Sequence, residues 1–186
     1  MAYDVISADG HIDLIWLPPD LFTSQASGQM KERMPYVTEG ENGPKWVSKN
    51  GSEFGLMNGM GSAGREYIPG QIARSDRMAE TGLYDDGKKG IRRLTDPALR
   101  IKDQERDGVR GEVLYGILGA SQRLNDPEAA AEMMTIYNDW LADFCNAAPD
   151  RFAGIAPLPN NNVPAAVEEI ERVAKRGAVK AVSYTH

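Results

Sequence analysis

Residues 96–118 read DPALRIKDQERDGVRGEVLYGIL, and the reading of this stretch decides the fold. Asp96-Pro97 is a helix start: an acceptor side chain at the N-cap, then a proline at the first helical position, where its missing N–H is not needed. The pattern predicts a helix running to about Asp107 and stopped by Gly108. Residues 112–118, with Val113, Leu114, Ile117 and Leu118, are then predicted as a strand. A helix feeding straight into a short apolar strand is the repeating unit of an alternating α/β fold.

The same unit recurs toward the C-terminus. Asp126-Pro127 opens a second helix by the same device. Ala130, Met133, Tyr137, Trp140, Leu141 and Phe144, spaced three and four apart, form its inner stripe, and Pro149 ends it. Cys145, the single cysteine of the chain, falls on this stripe and is read as packing. One thiol makes no internal disulfide, which fits a reducing compartment. Residues 154–158 are a third strand, closed by Pro159 and three asparagines. Pro164 starts a third helix with Val167, Ile170, Val173 and Ala174 as its inner face, and Gly177 ends it. Residues 179–184 are a fourth strand before His186.

Toward the N-terminus the pattern changes. Residues 3–8 are a buried strand running into Asp9-Gly10-His11, and Pro18-Pro19 forces an extended turn after an apolar run. Residues 23–95 are dense in glycine, poor in periodicity and largely polar. Within them Trp46-Val47-Ser48-Lys49, Asn50-Gly51 and Ser52-Glu53-Phe54 predict a hairpin with a two-residue Asn-Gly turn. A structureless loop of this length is unusual inside a compact domain. The segment is therefore expected to be an inserted cap or lid, the alternative being a partly disordered insertion. Residues 1–186 read as one domain.

Strand, insertion, then three helix–strand units imply right-handed crossovers and a parallel sheet. An open doubly wound sheet and an eight-stranded barrel both fit this order. A dinucleotide-binding sheet calls for a glycine fingerprint after its first strand, and Asp9-Gly10-His11-Ile12-Asp13 is not one. The expectation is an α/β chain of the (β/α)8 TIM-barrel type.

Composition narrows the function. A net charge of −6 offers no basic surplus to neutralise phosphates, so no nucleic-acid partner is expected; Lys88, Lys89, Arg92 and Arg93 read as a solvated loop. No apolar run reaches the ~20 residues of a membrane span, so no membrane partner is expected. The first residues lack a basic start followed by an apolar stretch, which points to the cytoplasm.

Asp9 and His11 are the residues that could carry chemistry. Two residues apart on a strand, they point to one side. At the carboxyl end of a first barrel strand they would face the mouth, where active sites of this architecture sit. A carboxylate oxygen and an imidazole nitrogen so placed can share a divalent ion; alternatively Asp9 caps a turn. His186, at the terminal carboxyl, is not assigned a ligand role.

At these residues the chain resembles the amidohydrolase-related family of metal-dependent barrel enzymes, in the branch that includes aminocarboxymuconate-semialdehyde decarboxylase, γ-resorcylate decarboxylase and many predicted hydrolases. The matching stretches are residues 5–11 with Pro18-Pro19-Asp20-Leu21-Phe22, Asp96-Pro97 and residues 107–115. Further along they are Tyr137-Asn138-Asp139-Trp140-Leu141, Pro149-Asp150-Arg151-Phe152, Ala156-Pro157-Leu158-Pro159 and residues 177–182. The resemblance implies that Asp9 and His11 are the strand-one metal ligands, with zinc as the ion and manganese as the alternative. It implies hydrolysis or decarboxylation of a small carboxylate or amide, the ion activating water or polarising the substrate. The family also takes a histidine from a later strand and an aspartate from the last strand, positions this chain does not contain. A complete barrel needs about 250 residues. The chain is therefore expected to be the N-terminal half of an incomplete barrel, and to self-associate as a homo-oligomer through its unpaired strand edges. A non-catalytic half-barrel with a binding or assembly role is the alternative.

Overall fold

The computed structural model describes residues 5–57, 81–159, 162–177 and 179–183. Four parallel strands form the main sheet: β1 (Val5–His11), β5 (Val109–Tyr115), β6 (Phe152–Pro157) and β7 (Val179–Ser183), in the order β1-β5-β6-β7. Between β1 and β5 lie the short helix α1 (Leu21–Gln25), a separate antiparallel sheet of β2 (Tyr36–Thr38), β3 (Lys45–Val47) and β4 (Glu53–Leu56), and the helices α2 (Leu83–Lys88) and α3 (Pro97–Asp107). Helices α4 (Leu118–Arg123) and α5 (Pro127–Asn146) connect β5 to β6, and α6 (Val163–Ala174) connects β6 to β7.

Register shows why this is an arc of a barrel. Gly10, Leu114 and Gly154 are successive partners across β1, β5 and β6, so they face one side of the sheet. The side-chain direction of Gly10 meets Arg100 of α3, and that of Gly154 meets Leu141 and Cys145 of α5. Helices α3 and α5 therefore cover the same face. Strands in chain order with helices on one face describe a (β/α) barrel, whereas a doubly wound sheet reverses its order and carries helices on both faces. Among the described residues the barrel is not closed: β1 and β7 are both edges, and Val5, Ile6 and Val182 stand exposed on them.

The helix starts form as the sequence predicts. Asp96 accepts from the Leu99 N–H at 2.9 Å and Asp126 from the Ala129 N–H at 3.2 Å, and Gly108 closes α3 in the left-handed region at φ 71°. On α5 the stripe of Met133, Tyr137, Leu141 and Phe144 is buried, each such side chain contributing roughly 1.5–3 kcal/mol. Cys145 is fully buried among them, and burial pushes its thiol up to about 11, which leaves it unreactive.

Several boundaries differ from expectation. The second main strand spans Val109–Tyr115, and Ile117 and Leu118 lie beyond it at the start of α4. Ile117 is buried all the same, and apolarity alone does not separate a strand end from a helix start. The third strand begins two residues early, at Phe152. The hairpin of β3 and β4 turns through three residues: the Ser48 N–H donates to the Ser52 carbonyl at 2.9 Å, the Gly51 N–H to the Ser48 carbonyl at 3.0 Å, and Gly51 adopts φ 88°. This is the wider loop that puts its glycine after the turn. On α6 only Val173 of the expected face is buried; Val167 and Ile170 are exposed, and Glu169 points inward. The inward face of α6 is polar because Glu169 accepts from Asn138 at 2.6 Å and from Arg172 at 2.7 Å. Tyr184 and His186 lie outside the described residues.

Candidate metal centre

Asp9 and His11 sit at the carboxyl end of β1, on the face away from the helices. A bulge sets this orientation. Ser7 pairs with Glu112 and Gly10 with Leu114, so β1 spends three residues where β5 spends two. The extra residue reverses the alternation. Gly10 then faces the helices, and its neighbours Asp9 and His11 face the open side. Gly10 must be small, because a Cβ there would lie 2.9 Å from the Val113 carbonyl oxygen.

Asp9 Oδ1 and His11 Nε2 stand 3.1 Å apart, and their side chains are 90% and 53% exposed. Both predicted residues thus come together with open space before them. The two groups share a direct hydrogen bond at this distance, and the same separation suits a shared ion: with metal–ligand bonds of about 2.0–2.2 Å, two donors on one ion lie roughly 3 Å apart. Among the described residues, no group of three or more His, Cys, Asp and Glu side chains gathers into a metal-holding cluster.

Beside His11 is a cavity of about 220 Å³ lined in part by His11, Asp13, Leu14, Phe54, Tyr115 and Gly116; Asp9 stands outside its lining. The Tyr115 ring stacks on His11 with centroids 5.7 Å apart. Asp13 is half-buried on the wall; burial raises its carboxyl above the ordinary range, and the nearby His11 opposes the shift. Phe54 comes from the separate sheet, whose hairpin is fastened to the segment after β5. Ser52 Oγ donates to the Arg123 carbonyl at 2.8 Å, Arg123 donates to the Glu53 carbonyl, and its guanidinium lies 5.7 Å from the Phe54 ring centroid.

Behind the pair, Arg100 of α3 is buried. Its Nε and Nη2 donate to the two Glu112 oxygens at 2.6 and 3.3 Å, and its Nη1 donates to the carbonyls of Leu94 at 3.0 Å and His11 at 3.4 Å. Gln104 also donates to Glu112, at 2.7 Å. Sequence reasoning missed Asp13, Phe54, Tyr115, Arg100 and Glu112. A signal existed for Glu112, since an acid inside an apolar parallel strand requires a partner.

No protein-family model matches the chain. The γ-resorcylate decarboxylase of Rhodococcus jostii (strain RHA1) is 34% identical over 116 residues, covering 62% of this chain and 35% of that protein. The γ-resorcylate decarboxylase of Rhizobium sp. (strain MTP-10005) is 36% identical over 73 residues, covering 39% of this chain and 22% of that one. The matched stretch thus spans about a third or less of the length of these curated relatives. A solved amidohydrolase from Mycobacterium avium subsp. paratuberculosis K-10 superposes with a TM-score of 0.65 over 95% of this chain and 47% of its own, at 17% identity, a likeness of fold. The sheet order, the one-sided helices and this superposition agree that the chain carries part of a (β/α) barrel, and its sequence is similar to γ-resorcylate decarboxylases over about a third or less of their length.

Proposed function

We propose that this chain is part of a metal-dependent enzyme that decarboxylates a small aromatic carboxylate, Asp9 and His11 being two of the metal's ligands. The observation that carries the reading is the 3.1 Å approach of Asp9 Oδ1 to His11 Nε2 on the open side of the strand end. Zinc suits a mixed oxygen and nitrogen donor pair, and manganese is the alternative. A divalent ion bound there supplies Lewis-acid polarisation of a substrate carboxylate.

The chain's own residues do the rest. The Tyr115 ring holds the His11 imidazole in place. Phe54, Leu14 and Tyr115 give the cavity apolar and aromatic walls, which suit a flat ring and exclude water. The names of the curated relatives favour decarboxylation over hydrolysis of an amide and supply a first substrate to try, γ-resorcylate. Residues 23–95 are taken as the cap, since the sheet that contributes Phe54 lies within them; residues 58–80 of that segment lie outside the described residues. No helix among the described residues is long and apolar enough to cross a membrane, and the acidic charge disfavours nucleic acid, leaving a small molecule as the ligand. The cytoplasm remains the proposed location.

Purified chain dialysed against zinc or manganese should retain the ion, and His11→Ala should abolish retention. A wild-type chain that keeps no metal supports the second reading, a non-catalytic partial barrel. That reading is favoured by the two-ligand count among the described residues.

A further inference from the structure

The end of β1 is poorly held by its own ladder. Among the described residues one edge of the strand has no partner, and on the other the bulge between Ser7 and Gly10 interrupts the register. Beyond the bulge it relies on its last partners on β5 and on the Ile12 N–H, which donates to the Tyr115 carbonyl at 3.0 Å. Arg100 supplies a further tie from behind. One guanidinium joins α3 to Glu112 on β5, to the Leu94 carbonyl before α3, and to the His11 carbonyl. Gly10 lacks the side chain that would crowd this approach: its Cβ would lie 3.4 Å from Arg100 Nη2.

Stability alone does not account for the pair. A buried arginine–glutamate bridge loses in desolvation much of what it gains in attraction, and apolar residues of similar volume often serve the fold as well. What apolar residues cannot do is donate to the His11 carbonyl. We propose that Arg100, seated by Glu112, is a positioning residue that fixes the backbone of His11 and so the aim of the Asp9–His11 pair. The inference rests on the reading of that pair as metal ligands.

The test compares wild type, the apolar double variant Arg100→Met/Glu112→Leu, and Arg100→Lys. Zinc affinity is measured by titration, the Ile12 amide by hydrogen exchange, and the fold by thermal melting. The double variant should stay folded, its melt lowered by the Gln104 amide left without its partner, yet bind zinc about tenfold or more weakly, the usual effect of losing a group behind a ligand. Its Ile12 amide should exchange roughly tenfold faster. Arg100→Lys, which keeps a donor, should fall between the two. A folded double variant with wild-type zinc affinity and wild-type Ile12 exchange overturns the proposal. If wild type itself takes no zinc, the ligand reading fails separately and Ile12 exchange alone decides. If the double variant does not fold, unchanged exchange in Arg100→Lys overturns the proposal and faster exchange supports it.

Discussion

His11 and Tyr115 are direct register partners at the ends of β1 and β5, and their rings stack at an interplanar angle of 26°. Partners in a parallel ladder share a face, so the strand that carries the histidine receives an aromatic support from its neighbour without any loop taking part. Stacked aromatic pairs contribute about 0.5–1.5 kcal/mol beyond area burial. Tyr115→Ala should therefore weaken zinc binding by roughly 2- to 10-fold, while Tyr115→Phe, which keeps the ring, should leave it unchanged. Calorimetric titration of the two variants separates the ring from the hydroxyl; equal losses in both would assign the effect to the hydroxyl.

Phe54 joins the small sheet to the cavity. It is 1% exposed, so shortening it removes packing as well as a wall. Phe54→Leu should lower unfolding free energy by about 1 kcal/mol and enlarge the cavity on the side away from β1. The expected result in a denaturant melt is a lower midpoint at constant slope. In a ligand screen, a bulkier aromatic acid should gain affinity relative to γ-resorcylate. A screen with unchanged ranking would remove Phe54 from the specificity wall.

The parts legible in the sequence are those set by local chemistry. Asp96-Pro97 and Asp126-Pro127 announced their helices because an N-cap acceptor and an N1 proline act within four residues. Asp9 and His11 were legible because strand alternation is local too. The bulge that turns them to the open face was not, since it depends on the register of β1 against residues a hundred positions away. The polar inward face of α6 was hidden for a similar reason: Glu169 looks like a surface residue until Asn138 and Arg172 are brought to it. Arg100 and Gln104 stand one turn apart on α3 and read as solvent-facing until Glu112 supplies their partner.

Acid should destabilise the start of α5. The hydrogen bond from Arg33 holds the Asp126 carboxyl below its ordinary range, helped by the backbone N–H of Ala129. A carboxyl depressed in the folded state adds stability that is complete above its unfolded value of about 3.9 and is lost as pH falls through the lower folded value. Stability from this group should thus fall below about pH 4. Asp126→Asn keeps a capping oxygen and should flatten that part of the profile. Asp126→Ala loses the cap as well and should cost about 0.5–2 kcal/mol at neutral pH. Chemical denaturation at pH 7 and pH 3 distinguishes the two, and an Asp126→Asn profile as steep as wild type would assign the acid sensitivity elsewhere.

The unpaired edges should govern how the chain behaves in solution. β1 exposes Val5 and Ile6, β7 exposes Val182, and α6 exposes Val167 and Ile170 beside it. Strand edges with free N–H and C=O groups and apolar neighbours are templates for pairing. These apolar residues lie on the two edge strands of the main sheet and on the helix before β7. Self-association is the proposed outcome: light scattering after sizing should give a mass above the 20.4 kDa of one chain at low micromolar concentration. Val182→Lys should act by placing a charge on the edge, whereas Val167→Lys should act only if the helix face is also covered. A drop in mass for the first variant alone would locate the contact on the strand, and a drop for both would extend it across α6. A single sharp monomer peak for the wild-type chain would show that the edges do not attract one another.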